Sequence, residues 1–312
     1  MENIRVSLNT VLPMFLMIGV GCLAKQRRMI SAEAVREANG LCFKLFMSVL
    51  LFQNIYTSDL GASFHGPLLA LCMVGILAEF LLGLLLIPRI EPSNPARGVM
   101  LQGFFRTNTV LLGLPIATSL FGTGRVGQVS VIVAFVVPFI NILSVVALEL
   151  YRGGKPNARK ILRGVVTNPL VLGAAAGMAV VLTGLRLPSV VESAVSGIAR
   201  AATPLALVLM GASLDFSRFR TSARNLTICV LERLVVMPAV FIAIAVFMGF
   251  RDVALCTVMV VFGAPVAVNS YTMVLQMDGD ADLAGGIVLL TTGFSCLTLF
   301  LWIWLLKTLG LL

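Results

Sequence analysis

The sequence predicts an all-α integral membrane protein with ten transmembrane helices in two inverted five-helix repeats, of which helices 4 and 9 are broken crossover helices. Composition is the first observation behind this prediction. The chain is 59% hydrophobic and 12% charged, whereas soluble domains average about 45–50% and about 25%. The second observation is that the apolar residues form runs of the roughly 17–25 residues that a spanning helix needs. The third is that sequence landmarks recur at half the chain length.

Ten apolar runs, separated by short polar connections, define the predicted spans and leave no sizeable soluble domain. They cover residues 7–24, 39–57, 66–88, 98–121, 127–150, 165–183, 189–213, 226–248, 252–276 and 283–308. The first run is expected to be a retained span and not a cleaved signal peptide, because so many spans follow it. The fourth and ninth runs contain prolines and polar residues, which predicts that these two helices are interrupted.

Basic residues in the loops and near the termini are expected to set the topology, which accounts for the net charge of +9 without a nucleic-acid partner. The odd-numbered loops hold fourteen of them: Lys25, Arg27, Arg28, Arg36, Arg89, Arg97, Arg152, Lys155, Arg159, Lys160, Arg163, Arg218, Arg220 and Arg224. The opposite side holds five: Arg5, Arg125, Arg186, Arg251 and Lys307. Because Lys and Arg concentrate in cytoplasmic loops, both termini are predicted to face the outer side of a cell inner membrane.

Matching landmarks predict that residues 1–156 and 157–312 are two repeats of one five-span unit. The matched landmarks, at shifts of 150 to 156 positions, are Pro13 and Pro169, Lys44 and Arg200, Glu79 and Glu232, and Gly113-Leu114-Pro115 and Gly263-Ala264-Pro265. Because each unit has an odd number of spans, the second must enter the membrane upside down relative to the first. Inverted repeats of this kind are typical of secondary transporters.

The two glycine-x-proline motifs are predicted to break their helices inside the bundle. A proline removes one backbone hydrogen bond and clashes with the preceding turn, and unwound backbone is tolerated in a membrane only where protein or water covers it. The new helix N-termini carry partial positive charge and free N–H groups, which suit a carboxylate. Together with nearby amides and a hydroxyl, the predicted substrate-binding residues are Asn108, Gly113, Pro115, Gly263, Pro265, Asn269 and Ser270.

Ionisable residues inside spans are costly and are therefore functional candidates. Arg106 either neutralises a substrate carboxylate or reaches to the cytoplasmic interface, and both interpretations stay open. Glu79 either couples transport to an ion or proton or forms an ion pair with Arg233 or Lys44. Lys44 and Arg200, near the cytoplasmic ends of their spans, are expected to extend to the interface.

Enzyme activity is a competing hypothesis that the residues do not support. A zinc protease needs two histidines in H-E-x-x-H, and the chain has one histidine. Asp278, Asp280 and Asp282 form an acidic cluster without the second partner that a magnesium site requires. The six cysteines lie singly in apolar runs and are expected to be small buried side chains. No catalytic residue, metal or cofactor is therefore predicted.

Several motifs together resemble the auxin efflux carrier family. The residues that carry the resemblance are Phe105-Arg106-Thr107-Asn108, Leu112-Gly113-Leu114-Pro115, Leu120-Phe121-Gly122, Asn168-Pro169, Pro204-Leu205-Ala206-Leu207, Ala264-Pro265-Val266-Ala267-Val268-Asn269 and Gly279-Asp280. The likeness extends over all ten spans. The family often has a proline where Ser48 stands in this chain.

The resemblance implies an organic-anion carrier with elevator-like movement around crossing helices 4 and 9, and a homodimer formed through spans 1, 2, 6 and 7. The bacterial members of the family include malonate and malate permeases that use H⁺ or Na⁺ as a co-ion, so the resemblance implies a small dicarboxylate such as malonate as the substrate. The alternative is an auxin-like exporter of an aromatic or other monocarboxylic acid without ion coupling. Such an acid needs an apolar slot, for which the candidates are Phe104, Phe105, Ile116 and Val266.

Overall fold

Every regular element in the part of the chain that the computed structural model describes, residues 2–57, 65–122, 127–153, 158–213 and 222–312, is helical. The α-helices are α1 Glu2–Gln26, α2 Ala32–Leu41, α3 Met47–Tyr56, α4 Gly66–Ile90, α5 Asn94–Phe105, α6 Leu114–Phe121, α7 Gly127–Tyr151, α8 Ala158–Val166, α9 Pro169–Thr183, α10 Ser189–Ser213, α11 Ala223–Leu231, α12 Met237–Phe247, α13 Asp252–Gly263, α14 Asn269–Gln276 and α15 Ala281–Thr308. Four basic residues of the charge count, Arg125, Lys155, Arg218 and Arg220, lie outside these ranges.

In the described residues, six helical stretches are long and apolar enough to cross a membrane. They are Ala32–Tyr56, Gly66–Ile90, Gly127–Tyr151, Ser189–Ser213, Ala223–Phe247 and Ala281–Thr308. Their outer faces expose large apolar side chains, such as Leu85, Val190 and Phe247, which a bilayer covers and water does not. These helices agree with the prediction of an all-helical membrane protein.

The described part of the chain contains three π-helical turns, each of which shifts the register of the side chains. The turns are Cys42–Phe46 between α2 and α3, Thr109–Gly113 before α6, and Glu232–Val236 between α11 and α12. A π turn adds one residue to a helical turn and is frequent at functional sites. One of them, Glu232–Val236, brings two ionisable side chains into the protein interior.

The helical backbone stops inside two of the predicted spans. In the ninth, α13 ends at Gly263 and Ala264 is extended (φ −69°, ψ 149°), because the residue before a proline is disfavoured in the α conformation. In the fourth, α5 ends at Phe105 and Arg106 is extended (φ −78°, ψ 122°), although no proline follows it. Pro115 instead occupies the start of α6, where its missing N–H would have no helical partner.

Glycines permit two pairs of helices to approach closely. Gly21 of α1 lies against the carbonyl oxygen of Val208 in α10. Gly177 of α9 lies against the carbonyl oxygen of Phe52 in α3, which is 2.8 Å from the place where a β-carbon of residue 177 would stand. Small residues at such crossings are typical of helix packing in membranes.

The buried interior surrounds α5, α7 and α13. Every residue of α13 from Leu255 to Gly263 is buried, as are those of α5 from Val99 to Phe105. The places where α5 and α13 end are therefore enclosed by protein on most sides. Backbone groups freed at these ends must find partners within the bundle, because hydrocarbon offers none.

Candidate functional site

The two interrupted stretches contact each other through their backbones. The Asn108 N–H donates a hydrogen bond to the Pro265 carbonyl oxygen at 2.8 Å. The Val266 N–H donates to Thr291 Oγ1 of α15 at 3.2 Å, and the Thr291 hydroxyl donates to the Ile287 carbonyl at 2.7 Å. Backbone groups that leave the helical ladder are thus paired across the bundle, which fixes the two breaks side by side.

A cavity of about 70 Å³ lies beside these breaks. Residues of both interrupted stretches and of α3, α7 and α10 line it. Its polar lining consists of Asn54, Arg106, Thr107, Asn108, Thr109, Asn141, Thr203 and Asn269. The remainder is aliphatic, including Leu50, Leu51, Val137 and Ile140. The cavity therefore combines one cation, several neutral hydrogen-bonding groups and an apolar wall, which is the usual chemistry of a small-molecule site.

Arg106 is the basic residue of this cavity, and its side chain is 1% exposed. Its Nη2 donates to Asn141 Oδ1 at 2.8 Å, and Nη1 lies 3.5 Å from the sulfur of Met273. Among the described residues, Nε has no hydrogen-bond partner, and no carboxylate lies within ion-pair distance of the guanidinium. A buried cation without a counter-ion is unfavourable by itself and attracts an anion.

Further polar atoms on the cavity wall also lack a protein partner in the described part of the chain. They are Asn108 Nδ2, Asn269 Oδ1, Thr107 Oγ1 and Thr109 Oγ1. Buried polar groups are normally hydrogen-bonded. Asn269 is also the first residue of α14, so that the positive end of this short helix lies at the cavity and adds to the field of Arg106.

The predicted site residues divide into two groups. Arg106, Asn108 and Asn269 line the cavity. The other five, which are Gly113, Pro115, Gly263, Pro265 and Ser270, are not among the described residues that line it. Gly113 packs against the Val260 side chain, Pro115 is exposed, Gly263 lies near Pro238, Pro265 supplies the carbonyl bonded by Asn108, and Ser270 is buried in α14.

Five polar residues that line the cavity were not among the predicted site residues: Asn54, Thr107, Thr109, Asn141 and Thr203. Asn54, Asn141 and Thr203 come from α3, α7 and α10. The available signal was that Asn54 and Asn141 are amides inside apolar runs, where polar groups are costly. The residues predicted to form an apolar slot, Phe104, Phe105, Ile116 and Val266, are buried elsewhere. The aliphatic wall of the cavity is formed by Leu50, Leu51, Val137 and Ile140.

Glu79 lies away from this cavity and forms an ion pair with Arg233, with 3.6 Å between Oε2 and Nη1. The same guanidinium donates to the carbonyls of Val261 and Ala264 at 2.7 and 2.9 Å, and to that of Phe104 at 3.1 Å. These carbonyls belong to the C-terminal ends of α13 and α5, which have no helical partner of their own. Arg233 therefore satisfies the ends of both interrupted helices at once.

Lys44 and Arg200, the other basic residues inside predicted spans, have exposed side chains. This agrees with the expectation that they extend to the interface. Among the described residues, the two cations with side chains in the protein interior are then Arg106 and Arg233. Of these, Arg106 faces the cavity, whereas Arg233 contacts backbone carbonyls and a carboxylate.

The fold and this cavity define a multi-pass membrane protein with a small polar site at its centre, and comparison with known proteins gives its class. Residues 6–303 match the family described as "Membrane transport protein". An uncharacterised transporter of Methanothermobacter thermautotrophicus is 24% identical over 302 residues, covering 95% of this chain and 97% of the relative. An uncharacterised transporter of Methanocaldococcus jannaschii is 22% identical over 314 residues, covering 96% and 99%.

The protein is thus a membrane transporter. It belongs to the auxin efflux carrier family, as the sequence motifs predicted. The match extends over nearly the whole chain and includes both interrupted stretches.

Proposed function

We propose that the protein is a secondary active transporter of a small organic anion, with a dicarboxylate such as malonate or malate as the substrate. The observation that carries the proposal is the buried guanidinium of Arg106, which lines the cavity without a carboxylate partner among the described residues. A bound carboxylate supplies the missing counter-charge, and Arg forms two parallel hydrogen bonds with such a group. Asn108 and Asn269 are positioned on the same wall to bind further substrate oxygens.

The size of the cavity supports a small substrate. Since a water-sized group needs about 10–15 Å³ by this measure, a cavity of about 70 Å³ holds a molecule of a few non-hydrogen atoms. Malonate is of this size, whereas a bicyclic aromatic acid requires the wall to open. Elevator-like alternating access, in which the crossing helices carry the site between the two sides, is the movement that we propose.

The charge of the cavity supports a second candidate, an exporter of an aromatic or other monocarboxylic weak acid without ion coupling. One guanidinium neutralises one carboxylate, so a monoanion leaves no excess charge, whereas a dianion needs a co-transported H⁺ or Na⁺. The aliphatic wall of Leu50, Leu51, Val137 and Ile140 suits an apolar substituent. Transport measurements with both substrate types therefore decide between the candidates.

We also propose that the fold consists of two inverted five-span repeats with broken crossover helices 4 and 9. The close helix contacts support this arrangement. Gly21 and Gly177 lie 156 positions apart, and so do Phe52 and Val208, whose carbonyl oxygens they contact. A two-fold relation between residues 1–156 and 157–312 turns one of these contacts into the other.

The proposed setting is a bacterial-type inner membrane with both termini on the outer side, and a homodimer formed through spans 1, 2, 6 and 7. Fusing a reporter that is active only in the cytoplasm to the C-terminus tests the orientation, and an active fusion contradicts it. The mass of the purified protein in detergent, corrected for bound detergent, tests the dimer. A monomeric mass contradicts it.

The decisive experiment is uptake of labelled malonate into proteoliposomes that contain the purified protein, with and without pH and sodium gradients. Asn108→Ala and Asn269→Ala each remove a cavity amide, and Asn94→Ala removes an amide at the far end of α5 as the matched control. We expect saturable uptake that the first two substitutions reduce and the control leaves unchanged. Competition by unlabelled malate and indole-3-acetate reports substrate class.

Each result has a distinct meaning. Uptake that both cavity variants retain locates the substrate elsewhere and contradicts the site. Absence of malonate transport, together with transport of indole-3-acetate that is independent of gradients, establishes the second candidate. Absence of transport of every anion tested, by protein that is folded and inserted, contradicts the anion carrier itself.

A further inference from the structure

A second buried ionic cluster lies apart from the substrate cavity, near the middle of two membrane-spanning helices. Glu79 belongs to Gly66–Ile90, and Glu232 and Arg233 belong to Ala223–Phe247. The side chains of Glu79 and Arg233 are 0% exposed, and Glu232 is 8% exposed. With both carboxylates ionised, the cluster has two negative charges and one positive charge in a region of low polarity, where an unbalanced charge is costly.

The hydrogen bonds of the cluster do not relieve this imbalance. All four carboxylate oxygens of Glu79 and Glu232 lack a hydrogen-bond partner among the described residues. Arg233 donates its N–H groups to three backbone carbonyls, and its nearest approach to Glu79 is 3.6 Å. Glu79 is ion-paired with Arg233, and the Glu232 carboxyl interacts electrostatically with both groups. Two buried carboxyl groups near one guanidinium cannot both stay ionised at small cost, as is known for carboxylate pairs in general.

We propose that Glu79 and Glu232 together bind one proton, and that this cluster is the co-ion site of the transporter. One proton on the pair balances the charge, since one carboxylate then opposes Arg233 and the other carboxyl is neutral. The charged groups that act on the pair are Arg233 and the two carboxylates themselves, and the Cys229 thiol lies one turn before Glu232.

The position of Arg233 links this proton to the substrate cavity. Its guanidinium donates hydrogen bonds to backbone carbonyls at the C-terminal ends of α5 and α13. The segments that follow these two helices, Arg106–Asn108 and Ala264–Asn269, lead into the cavity. Loss of the proton leaves both carboxylates charged, which strengthens their electrostatic attraction for Arg233. The hydrogen bonds from Arg233 to the carbonyls at both helix ends are then weakened. Proton binding is therefore coupled to the geometry of the site. This coupling, but not the proton binding, rests on the proposed function.

Infrared difference spectroscopy of the purified protein tests proton binding without any substrate. A protonated carboxyl has a carbonyl band that ionised carboxylates lack and that shifts in D₂O. We expect the wild type to show this band at neutral pH, where exposed Asp and Glu are ionised, and Glu79→Gln and Glu232→Gln each to lose it. Glu149→Gln is the matched control, because Glu149 is buried but paired with Arg152 at 3.1 Å.

The infrared band of the protonated carboxyl tests the proposal even if only one of the two variants folds. Its absence from the wild type, in sodium-free buffer at neutral pH, overturns the proton site. Its persistence in a folded Glu79→Gln or Glu232→Gln protein also overturns it, because the proton then resides elsewhere. A wild-type band that appears only when sodium is removed identifies the cluster as a sodium site and overturns the assignment to a proton.

Malonate uptake into proteoliposomes then tests the coupling. An inward proton gradient is expected to stimulate uptake by the wild type, and Glu232→Gln is expected to abolish that stimulation while exchange of internal for external malonate continues. Stimulation that survives in Glu232→Gln refutes coupling at this cluster. If malonate is not transported at all, the infrared result still decides whether the cluster binds a proton, because that measurement needs no substrate. A wrong substrate and a wrong proton site therefore give different results.

Discussion

Arg106→Gln is expected to increase the stability of the ligand-free protein and to abolish anion binding, two opposite effects of one substitution. In the absence of an anion the Arg106 guanidinium is buried, with one good hydrogen bond, to Asn141 at 2.8 Å, and no carboxylate partner in the described residues. Replacing a buried, uncompensated charge with a neutral amide removes the desolvation penalty of that charge, which is on the order of a few kcal/mol. Glutamine retains the capacity to donate to Asn141.

The effect on binding follows from the interaction that the variant loses. Removing one partner of a buried charged pair costs about 2–5 kcal/mol, and each 1.4 kcal/mol is about a tenfold change in Kd. The Kd for the anion is therefore expected to rise by at least roughly 30-fold. At a ligand concentration that stabilises the wild type by about 2.7 kcal/mol, the variant is then stabilised by less than about 1 kcal/mol.

Thermal unfolding in detergent, with and without malonate, malate or indole-3-acetate, measures both effects. Arg97→Gln is the matched control, because Arg97 lies at the other end of α5 and is hydrogen-bonded to Asn94 and to the Glu91 and Pro88 carbonyls. It is expected to leave the ligand-induced shift unchanged. An Arg106→Gln protein that unfolds at a lower temperature and keeps the full ligand shift would show that Arg106 is a structural cation, and would refute the reasoning.

Three further predictions concern the helix breaks and their packing. Pro115→Ala, at an exposed position, is expected to change malonate uptake and stability little, by less than about 0.5 kcal/mol. Pro265→Ala lets α13 continue through the buried break and is expected to reduce uptake strongly; equal effects of the two substitutions would contradict the different positions of the prolines. Gly177→Val forces a side chain against α3 and is expected to lower the free energy of unfolding by about 1–3 kcal/mol. Gly197→Val is the control, because a β-carbon there meets no atom within 4 Å. It is expected to cost much less stability when both variants are unfolded thermally in detergent. Arg233→Gln removes the buried counter-charge of Glu79 and the hydrogen bonds to both helix ends, so a loss of about 3–5 kcal/mol is expected. A variant as stable as the wild type, measured by unfolding in detergent, would exclude this structural role.

The predicted apolar runs coincide with helical segments because hydropathy and helix-breaking are local properties. Helical segments cover each of the ten apolar runs, and six of the stretches are long enough to span a membrane. The break before Pro265 is also local, since the ring of proline restricts the residue that precedes it. The equivalent inference from Gly113-Leu114-Pro115 located the break too far along the chain, because a proline in the first turn of a helix is compatible with that helix.

The sequence by itself determined a membrane-embedded, all-helical chain, its family, and the polar residues that a bilayer makes costly. Only the tertiary structure decided which of these polar residues contact one another. The helix stops at Arg106 without a local breaker, and the Asn108 N–H bonds the Pro265 carbonyl of a distant segment. Arg106 and Arg233 are both buried arginines, yet one faces an open cavity and the other binds three carbonyls. The physical reason is that transfer free energy depends on each residue and its neighbours in the chain, whereas a hydrogen bond or an ion pair depends on the distance between atoms that packing alone brings together.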